Sequence, residues 1–377
     1  MENKKHTKHE PLFHIVKRGQ KKIVRSWVVR FTAILLAVVL SGLIAFMVAR
    51  ISPVKFFSTL VTGSFGSSRK IWKFLQSAAI LLGISVAITP AFRMRFWNTG
   101  AEGQALVGGL AAAAVMQFCT NVPTVPLILL IVISGIAAGA LWGLLPAVCK
   151  AKWNTNETLF TLMMNYMAIQ ITSFFVYTWD KSGHGNLGII NRKTKIGWLP
   201  SFFGNEYAIP IIFVLIITYG IFIYLSFRKH GYEISVVGES VNTARYVGIN
   251  VTKVIIRTMV LSGALCGLMG ALVVSGVDHT ISRDTIGGQG FTAIMVSWMS
   301  GFNPFYMIFS SLLIIFLERG GAEVSTVLGL NASFSQIISG LIIFFIIGSE
   351  FFVNYKVVFN HRKRHAKVVK DAGKEES

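Results

Sequence analysis

The stretch RKHGYEISVVGESVNTARYVGINVTK, residues 228–253, lies between two long apolar runs at 208–227 and 254–277. In a helix that rises about 1.5 Å per residue, each run is long enough to cross the roughly 30 Å hydrocarbon core of a membrane. The stretch between them is polar and charged. We call residues 228–253 the coupling segment. Its place between two predicted spans indicates a polytopic membrane protein with a structured polar connection.

The coupling segment itself has the spacing of a short amphipathic helix. One face would carry Val237, Val241, Ala244 and Gly248, and another Glu239, Asn242 and Tyr246. Gly248 is suited to end the helix in a left-handed conformation. Such a helix could pass force from a soluble motor to a pore. A solvated loop helix without a partner fits the same pattern.

The composition is that of a membrane protein. Of the 377 residues 53% are hydrophobic and only 14% are charged, against about 25% charged in soluble domains. The apolar residues form long uncharged runs, which predicts an all-α polytopic fold. The net charge of +20 is concentrated at the two ends and in a few loops. Since no aromatic and arginine module accompanies it, we expect contact with membrane lipid and none with nucleic acid.

Ten apolar segments predict about ten transmembrane helices. They are 31–50, 74–91, 99–118, 123–148, 158–179, 208–227, 254–277, 291–301, 304–319 and 334–353. The eighth and ninth are too short to cross the hydrocarbon core, and they meet at the turn GFNP. We therefore predict that these two are half-helices buried within the protein.

The distribution of Lys and Arg predicts the orientation. Most of these 36 residues fall on cytoplasmic segments if both termini are cytoplasmic, as the positive-inside rule requires. This divides the chain into a basic cytoplasmic tail at 1–30, a transmembrane domain at 31–353 and a second basic cytoplasmic tail at 354–377. The loop 180–206 would lie outside the cell membrane, either to meet a delivery protein or as a mobile connection.

Small residues recur every four positions in two predicted spans. They are Gly135, Gly139 and Gly143 in one, and Gly263, Gly267 and Ala271 in the other. Such faces favour close helix packing, although they could also line a conduit. In addition, NTGAEGQALVGG (98–109) resembles IGGQGFTAIM (286–295), which favours an internal repeat. The cysteines Cys119, Cys149 and Cys266 fit neither a disulfide framework nor a metal site.

The spans carry no ionisable residue in their central stretches. This disfavours a proton-driven carrier, leaves a sodium-coupled carrier open and suits a neutral polar solute. The sequence contains no GxxxxGK followed by Ser or Thr, no GxSxG and no HExxH. We therefore expect no catalytic site, no metal and no cofactor bound by this chain.

A few polar and aromatic residues are candidates for a solute path. Glu102 and Glu157 have the spacing of capping boxes with Thr99 and Asn154, and each is either a helix cap or a polar gate. Asn165 could hydrogen-bond a solute or a neighbouring helix. Trp298 could stack on a planar solute or pack within the bundle.

Four motifs occur in order along the chain. They are NTGAEGQALVGG (98–109), NETLFTLMMNYMA (156–168), GESVNTARYVGINV (238–251) with LSGALCGLMGAL (261–272), and GFTAIMVSWMSGFNP (290–304). Together they resemble the permease subunits of ATP-binding-cassette importers, of the branched-chain amino acid/ribose-like superfamily. The similarity covers residues 70–350 and is greatest to the nucleoside type, although Trp97 and Thr99 depart from that family's usual residues.

The resemblance implies a fold of about ten helices with an internal repeat, in the cell (plasma) membrane. It implies a homologous second permease, an extracellular substrate-binding lipoprotein, and a cytoplasmic ATPase that binds the ATP and Mg. The predicted coupling residues are Gly231, Gly238, Glu239, Asn242, Ala244, Arg245, Gly248 and Ile249, with Glu239 and Arg245 contacting the ATPase. The predicted translocation path includes Asn98, Glu102, Gln104, Glu157, Asn165 and Trp298. Nucleosides are the expected solute; ribose or another simple sugar, or an ion-coupled carrier, are the alternatives.

Overall fold

The computed structural model describes residues 13–17, 23–50, 52–180, 187–202, 205–327, 329 and 332–359. The described helices are α1 (Ile23–Ala49), α2 (Pro53–Phe65), α3 (Ser68–Arg93), α4 (Ala101–Phe118), α5 (Thr124–Trp153), α6 (Glu157–Trp179), α7 (Ala208–Phe227), α8 (Lys229–Glu239), α9 (Val241–Tyr246), α10 (Val251–Val273, continued by a π-helical turn Val274–Asp278), α11 (Gln289–Met299), α12 (Pro304–Val327) and α13 (Ala332–Asn354). Two strands, β1 (Phe13–Lys17) and β2 (Tyr355–Phe359), accompany them. The remaining parts of both predicted tails and of the loop 180–206 lie outside the described residues.

The prediction of an all-α polytopic membrane protein is confirmed. Among the described residues, seven helices are long and apolar enough to cross a membrane. They are Val28–Met47 within α1, together with α3, α5, α6, α7, α10 with its π-helical turn, and α12. The small sheet and the helix α2 were not predicted. α2 lies in the interval 51–73 between the first two predicted spans.

The predicted half-helices at 291–301 and 304–319 have different outcomes. α11 has 11 residues, or about 16 Å, and is too short to cross the membrane. α12 has 24 residues, or about 36 Å, so the prediction of a second half-helix was wrong. The apolar pattern stops at Glu318, but the helix continues. Two charged side chains in this continuation have partners: the Arg319 guanidinium lies 2.6 Å from the Ser77 hydroxyl, and Glu323 pairs with Lys70.

The chain forms two compact units. The described residues within 54–335 form one unit, and the described residues within 1–53 and 336–377 form the other. In the second unit β1 and β2 pair antiparallel, with Phe13 opposite Phe359 and Lys17 opposite Tyr355. The predicted basic tails are therefore joined at their described ends, and α1 begins at Ile23, inside the predicted tail 1–30.

The core of the larger unit is built where α10 packs on α3, α4 and α5. Gly139 on α5 faces Gly263 and Gly267 on α10, and the two backbones are in direct contact. A Cβ on Gly267 would clash with the Gly135 carbonyl oxygen and lie 2.8 Å from the Gly139 Cα. These small residues therefore pack helix against helix, as one of the two interpretations predicted.

The coupling segment forms two helices where a single helix was predicted. The break is at Ser240, whose backbone is extended and whose hydroxyl caps α9 by accepting a hydrogen bond from the Thr243 N–H at 3.2 Å. Serine is a preferred N-cap residue, so this local signal was present in the sequence. Gly248 has φ +81° and follows α9, as predicted for a residue that ends a helix.

Candidate functional site

Two buried amides join the start of α4 to α10. The Asn98 Nδ2 donates to Gln104 Oε1 at 3.1 Å and to the Ser262 hydroxyl at 3.2 Å. In return Gln104 Nε2 donates to Asn98 Oδ1 at 3.2 Å. Both amides are almost fully buried. Since their hydrogen bonds are made within the protein, these amides hold the entry to α4 in place.

Asn165 joins α6 to the same turn. Its Nδ2 donates to the Thr99 carbonyl oxygen at 2.8 Å, and its Oδ1 accepts from the Gly103 N–H at 2.9 Å. The hydroxyls of Thr99 and Thr161 lie 2.9 Å apart beside it. We call these residues the interior polar cluster: Asn98, Thr99, Gln104, Thr161, Asn165 and Ser262. Asn165 was predicted to hydrogen-bond either a solute or a neighbouring helix, and in the structure it bonds to the neighbouring helix α4.

Glu102 caps a helix other than its own. Its two carboxylate oxygens accept hydrogen bonds from the N–H groups of Gly288 at 2.8 Å and Gly290 at 2.7 Å, at the start of α11. The N-cap of α4 is Gly100, without a side-chain cap, so the predicted capping box is wrong. The side chain satisfies N–H groups that have no partner within α11. The first turns of α4 and α11 thus meet, with Glu102 only 8% exposed.

Glu157 does not complete a capping box either. Asn156 is the N-cap of α6 and accepts from the N–H groups of Thr158 and Leu159. The Glu157 carboxylate instead lies 2.9 Å from Lys150 Nζ. It borders a cleft of about 330 Å³ beside the coupling segment, lined by Met94, Arg95, Phe96, Lys150, Asn154, Glu157, Val237, Gly238, Glu239, Ser240, Val241 and Ile255. Glu157 was predicted to belong to the translocation path, and the structure places it at the same cleft as the predicted coupling residues Gly238 and Glu239.

Exposed aromatic side chains lie along the short helix α11. Trp298 is 45% exposed and Trp97 is 40% exposed, with ring centroids 5.1 Å apart in an edge-on arrangement. Phe291 is also 45% exposed and precedes Trp298 by two helical turns, so the two share a face. We call Trp97, Phe291 and Trp298 the aromatic patch. Trp97 was missed as a site residue, because its neighbour Trp298 is remote in sequence.

The predicted coupling residues divide into exposed and buried groups. Glu239, Asn242, Arg245 and Gly248 are exposed, Ile249 is half-buried, and Gly231, Gly238 and Ala244 are buried. Tyr246, on the same short helix as Arg245, is 92% exposed. The exposed group can meet a partner, whereas the buried group fixes α8 and α9 to the helices beneath them.

An ion pair anchors α8 on α10. The Arg257 Nη2 lies 2.6 Å from Glu233 Oε2, and its Nη1 lies 3.1 Å from His230 Nε2. Gly231 lies directly against the last turn of α7, where a Cβ would clash with the Leu225 carbonyl oxygen. α8 is therefore held by both spans that flank the coupling segment.

The described part of the loop 180–206 packs onto the end of α10, where the Leu199 N–H donates to the Ser275 carbonyl oxygen at 3.0 Å. The rings of Trp198 and His279 are stacked with centroids 3.6 Å apart. Asn191 Nδ2 donates to the Met116 carbonyl oxygen at 2.8 Å. Burial lowers the pKa of His279, which favours a neutral imidazole under this loop.

Among the described residues, no group of three or more His, Cys, Asp or Glu side chains could hold a metal ion. The three cysteines are free thiols.

Residues 71–347 match the protein family described as branched-chain amino acid transport system / permease component. The chain is 27% identical to the glucose ABC transporter permease protein TsgB13 of Haloferax volcanii, over 89% of this chain and 92% of that protein. It is 27% identical to the nucleoside ABC transporter permease protein NupB of Lactococcus lactis, over 81% and 87%. It is 28% identical to the guanosine ABC transporter permease protein NupP of Bacillus subtilis, over 84% and 92%.

Proposed function

We propose a solute and a mode of coupling on the premise that this chain belongs to the branched-chain amino acid transport system / permease component family. It is the membrane-spanning permease of an ATP-binding-cassette importer, and a transport subunit rather than an enzyme. Membership of the family removes the ion-coupled carrier from the alternatives. Within the family, we propose that the solute is a nucleoside.

The observation that carries this proposal is the aromatic patch. Trp298 on the short helix α11 and Trp97 in the connection between α3 and α4 are large, partly exposed rings that lie beside one another. A nucleobase is planar and uncharged and gains binding free energy by stacking on such rings. Two relatives with similar coverage are named for nucleosides or guanosine. A sugar is the second candidate, because another relative is named for glucose.

Replacing Trp298 with alanine is expected to lower nucleoside uptake about tenfold or more, since stacking on an aromatic side chain contributes roughly 1–3 kcal/mol per base. Trp298→Phe should retain part of the rate. The measurement is the initial uptake of radiolabelled nucleosides by cells that contain the whole transporter, at equal amounts of membrane protein.

The control for this substitution is Phe174→Ala, which removes another exposed ring, on α6. Uptake by Trp298→Ala at the wild-type rate would remove the patch from the solute path. Competition assays separate the two candidate solutes. Inhibition by excess glucose but not by excess nucleoside would replace the nucleoside with a sugar.

We propose that a cytoplasmic ATPase, which binds the ATP and Mg, docks on the exposed face of α8 and α9. The support is a set of exposed side chains at the end of α8 and on α9: Glu239, Asn242, Arg245 and Tyr246. Tyrosine and arginine dominate many protein interfaces, and the side chain of Tyr246 is almost fully free in the described structure.

Substituting Arg245 with alanine should lower transport several-fold while the permease pair still assembles. A second change, Tyr246→Ala, should add to the loss by weakening retention of the ATPase. Co-purification of the ATPase and ATP-dependent uptake report the two effects separately. Thr243→Ala is the matched control on the same short helix, since Thr243 is exposed and is not one of the proposed docking residues. Wild-type transport by Arg245→Ala would show that this residue makes no coupling contact.

The remaining partners are a homologous second permease, an extracellular substrate-binding lipoprotein and membrane lipid. We propose that the chain resides in the cell (plasma) membrane with both termini cytoplasmic. The pairing of β1 with β2 supports a common side for the two tails, and their positive charge supports the cytoplasmic side. Labelling of cysteines introduced at the tails, in intact and in permeabilised cells, tests this orientation.

A further inference from the structure

The coupling segment contacts the end of α3 at Gly238. A Cβ at this position would clash with the carbonyl oxygen of Arg93 and lie 3.1 Å from its carbonyl carbon. Val237 beside it is buried as well. The last turn of α8 therefore lies against the last residue of α3 with no side chain between the two backbones. A movement of α8 towards α3 must displace the end of α3.

The side chain of that same residue holds the turn between α11 and α12. Arg93 Nη2 and Nε donate to the Phe302 carbonyl oxygen at 3.0 and 3.3 Å. The Phe302 ring stacks on Phe92, with centroids 6.0 Å apart. Phe302 has φ +59°, a conformation that non-glycine residues adopt only where their surroundings impose it. The contacts with Arg93 and Phe92 both come from the end of α3.

Backbone hydrogen bonds join the turn at Phe302 to α11. The Phe302 N–H donates to the Ser297 carbonyl oxygen at 2.9 Å, and the Gly301 N–H donates to the Trp298 carbonyl oxygen at 3.0 Å. At its other end α11 is held by Glu102 through Gly288 and Gly290. The short helix that carries Phe291 and Trp298 is thus clamped at both ends, by Arg93 and by Glu102.

We propose that Arg93 is a positioning residue that links the coupling segment to α11. Displacement of α8 by the ATPase moves the end of α3 through the Gly238 contact, and Arg93 carries the turn at Phe302 with it. α11 then tilts about its Glu102 end and shifts the aromatic patch in the solute path. This inference rests on the proposed function, since it requires an ATPase that acts on the coupling segment. Arginine suits the role because two of its donors grip one carbonyl oxygen.

The test measures solute transport and ATP hydrolysis separately. It uses the assembled transporter, with its ATPase and binding protein, in liposomes. The variants are Gly238→Ala and Arg93→Gln. We expect ATP hydrolysis within about twofold of wild type and solute transport at least tenfold lower, so that the solute carried per ATP falls. Arg93→Lys should restore part of that ratio, because an ammonium can still donate to the Phe302 carbonyl oxygen.

Two control variants are matched in kind. Gly220→Ala also adds a methyl group to a helical glycine, but at a position where it would meet nothing within 4 Å. Arg69→Gln removes an exposed guanidinium at the other end of α3. Both should leave the solute carried per ATP unchanged.

An unchanged ratio in Gly238→Ala and Arg93→Gln would overturn the proposal. A proportional fall of hydrolysis and transport would also overturn it, because that outcome indicates only a loss of folded protein. The ratio is measured with whichever solute the wild-type complex carries, so a wrong solute leaves this test intact. Failure of the ATPase to co-purify with the wild-type chain would instead refute the proposed function.

Discussion

Replacing Gly267 with alanine is expected to destabilise the helix bundle by about 1–3 kcal/mol or more, which is the usual cost of overpacking a core. The new methyl group would meet the backbone of Gly135 and Gly139. Backbone atoms cannot rotate away as a side chain can, so α5 and α10 must separate. In a helix that makes no such contact the same change stabilises by about 1 kcal/mol. The expected change in stability is therefore opposite in sign to the one that helix propensity alone predicts for Gly267→Ala.

The measurement for Gly267→Ala is the thermal unfolding midpoint of the purified protein in detergent, together with its yield from the membrane. Gly220→Ala serves as the control, since an added methyl group there meets nothing within 4 Å. A midpoint for Gly267→Ala equal to that of the control would mean that the two helices are not packed as closely as described.

Glu102→Gln is the substitution with the second large expected effect. The carboxylate accepts two backbone N–H groups, one on each oxygen. An amide offers one oxygen, and its NH₂ group would face a second donor, so one buried N–H loses its partner. Hydrogen bonds to charged groups contribute roughly 1.5–3 kcal/mol, and we expect a loss of stability of that order. Transport should fall as well, because α11 loses its fixed end.

Both stability and transport are measured for Glu102→Gln. Glu323→Gln is the matched control: its carboxylate pairs with Lys70 at 2.6 Å but is partly exposed, so its removal should cost no more than about 1 kcal/mol. Equal effects of the two substitutions would contradict the role of Glu102 as the cap of α11. A stable Glu102→Gln variant without transport would assign the residue to the path itself.

Several features were predictable because their signals are local. The apolar runs at 208–227 and 254–277 predict transmembrane helices, since each residue contributes its own hydropathy regardless of its neighbours in space. Glycines four residues apart predicted a packing face, because helical periodicity alone aligns them. Gly248 was predicted to end a helix, because its lack of a Cβ permits the left-handed backbone.

The candidate site was predictable only in part. Asn165 was singled out because a polar side chain within an apolar segment needs partners, and Asn98 and Gln104 because they belong to the motif NTGAEGQALVGG. Which partners they take was not visible: they bond to each other's helices and to backbone. Glu102 and Glu157 had the spacing of capping boxes, yet one caps α11 and the other pairs with Lys150. The spacing of a motif constrains what a side chain can reach only along its own helix.

The sequence by itself determined that this chain is a helical membrane protein with a polar coupling segment, because hydropathy and helical spacing are properties of neighbouring residues. Only the tertiary structure decided that Trp97 lies beside Trp298, that Arg93 holds the turn at Phe302 and that α12 continues past Glu318. These contacts join residues remote in sequence, and they depend on which helices pack together and at what distance.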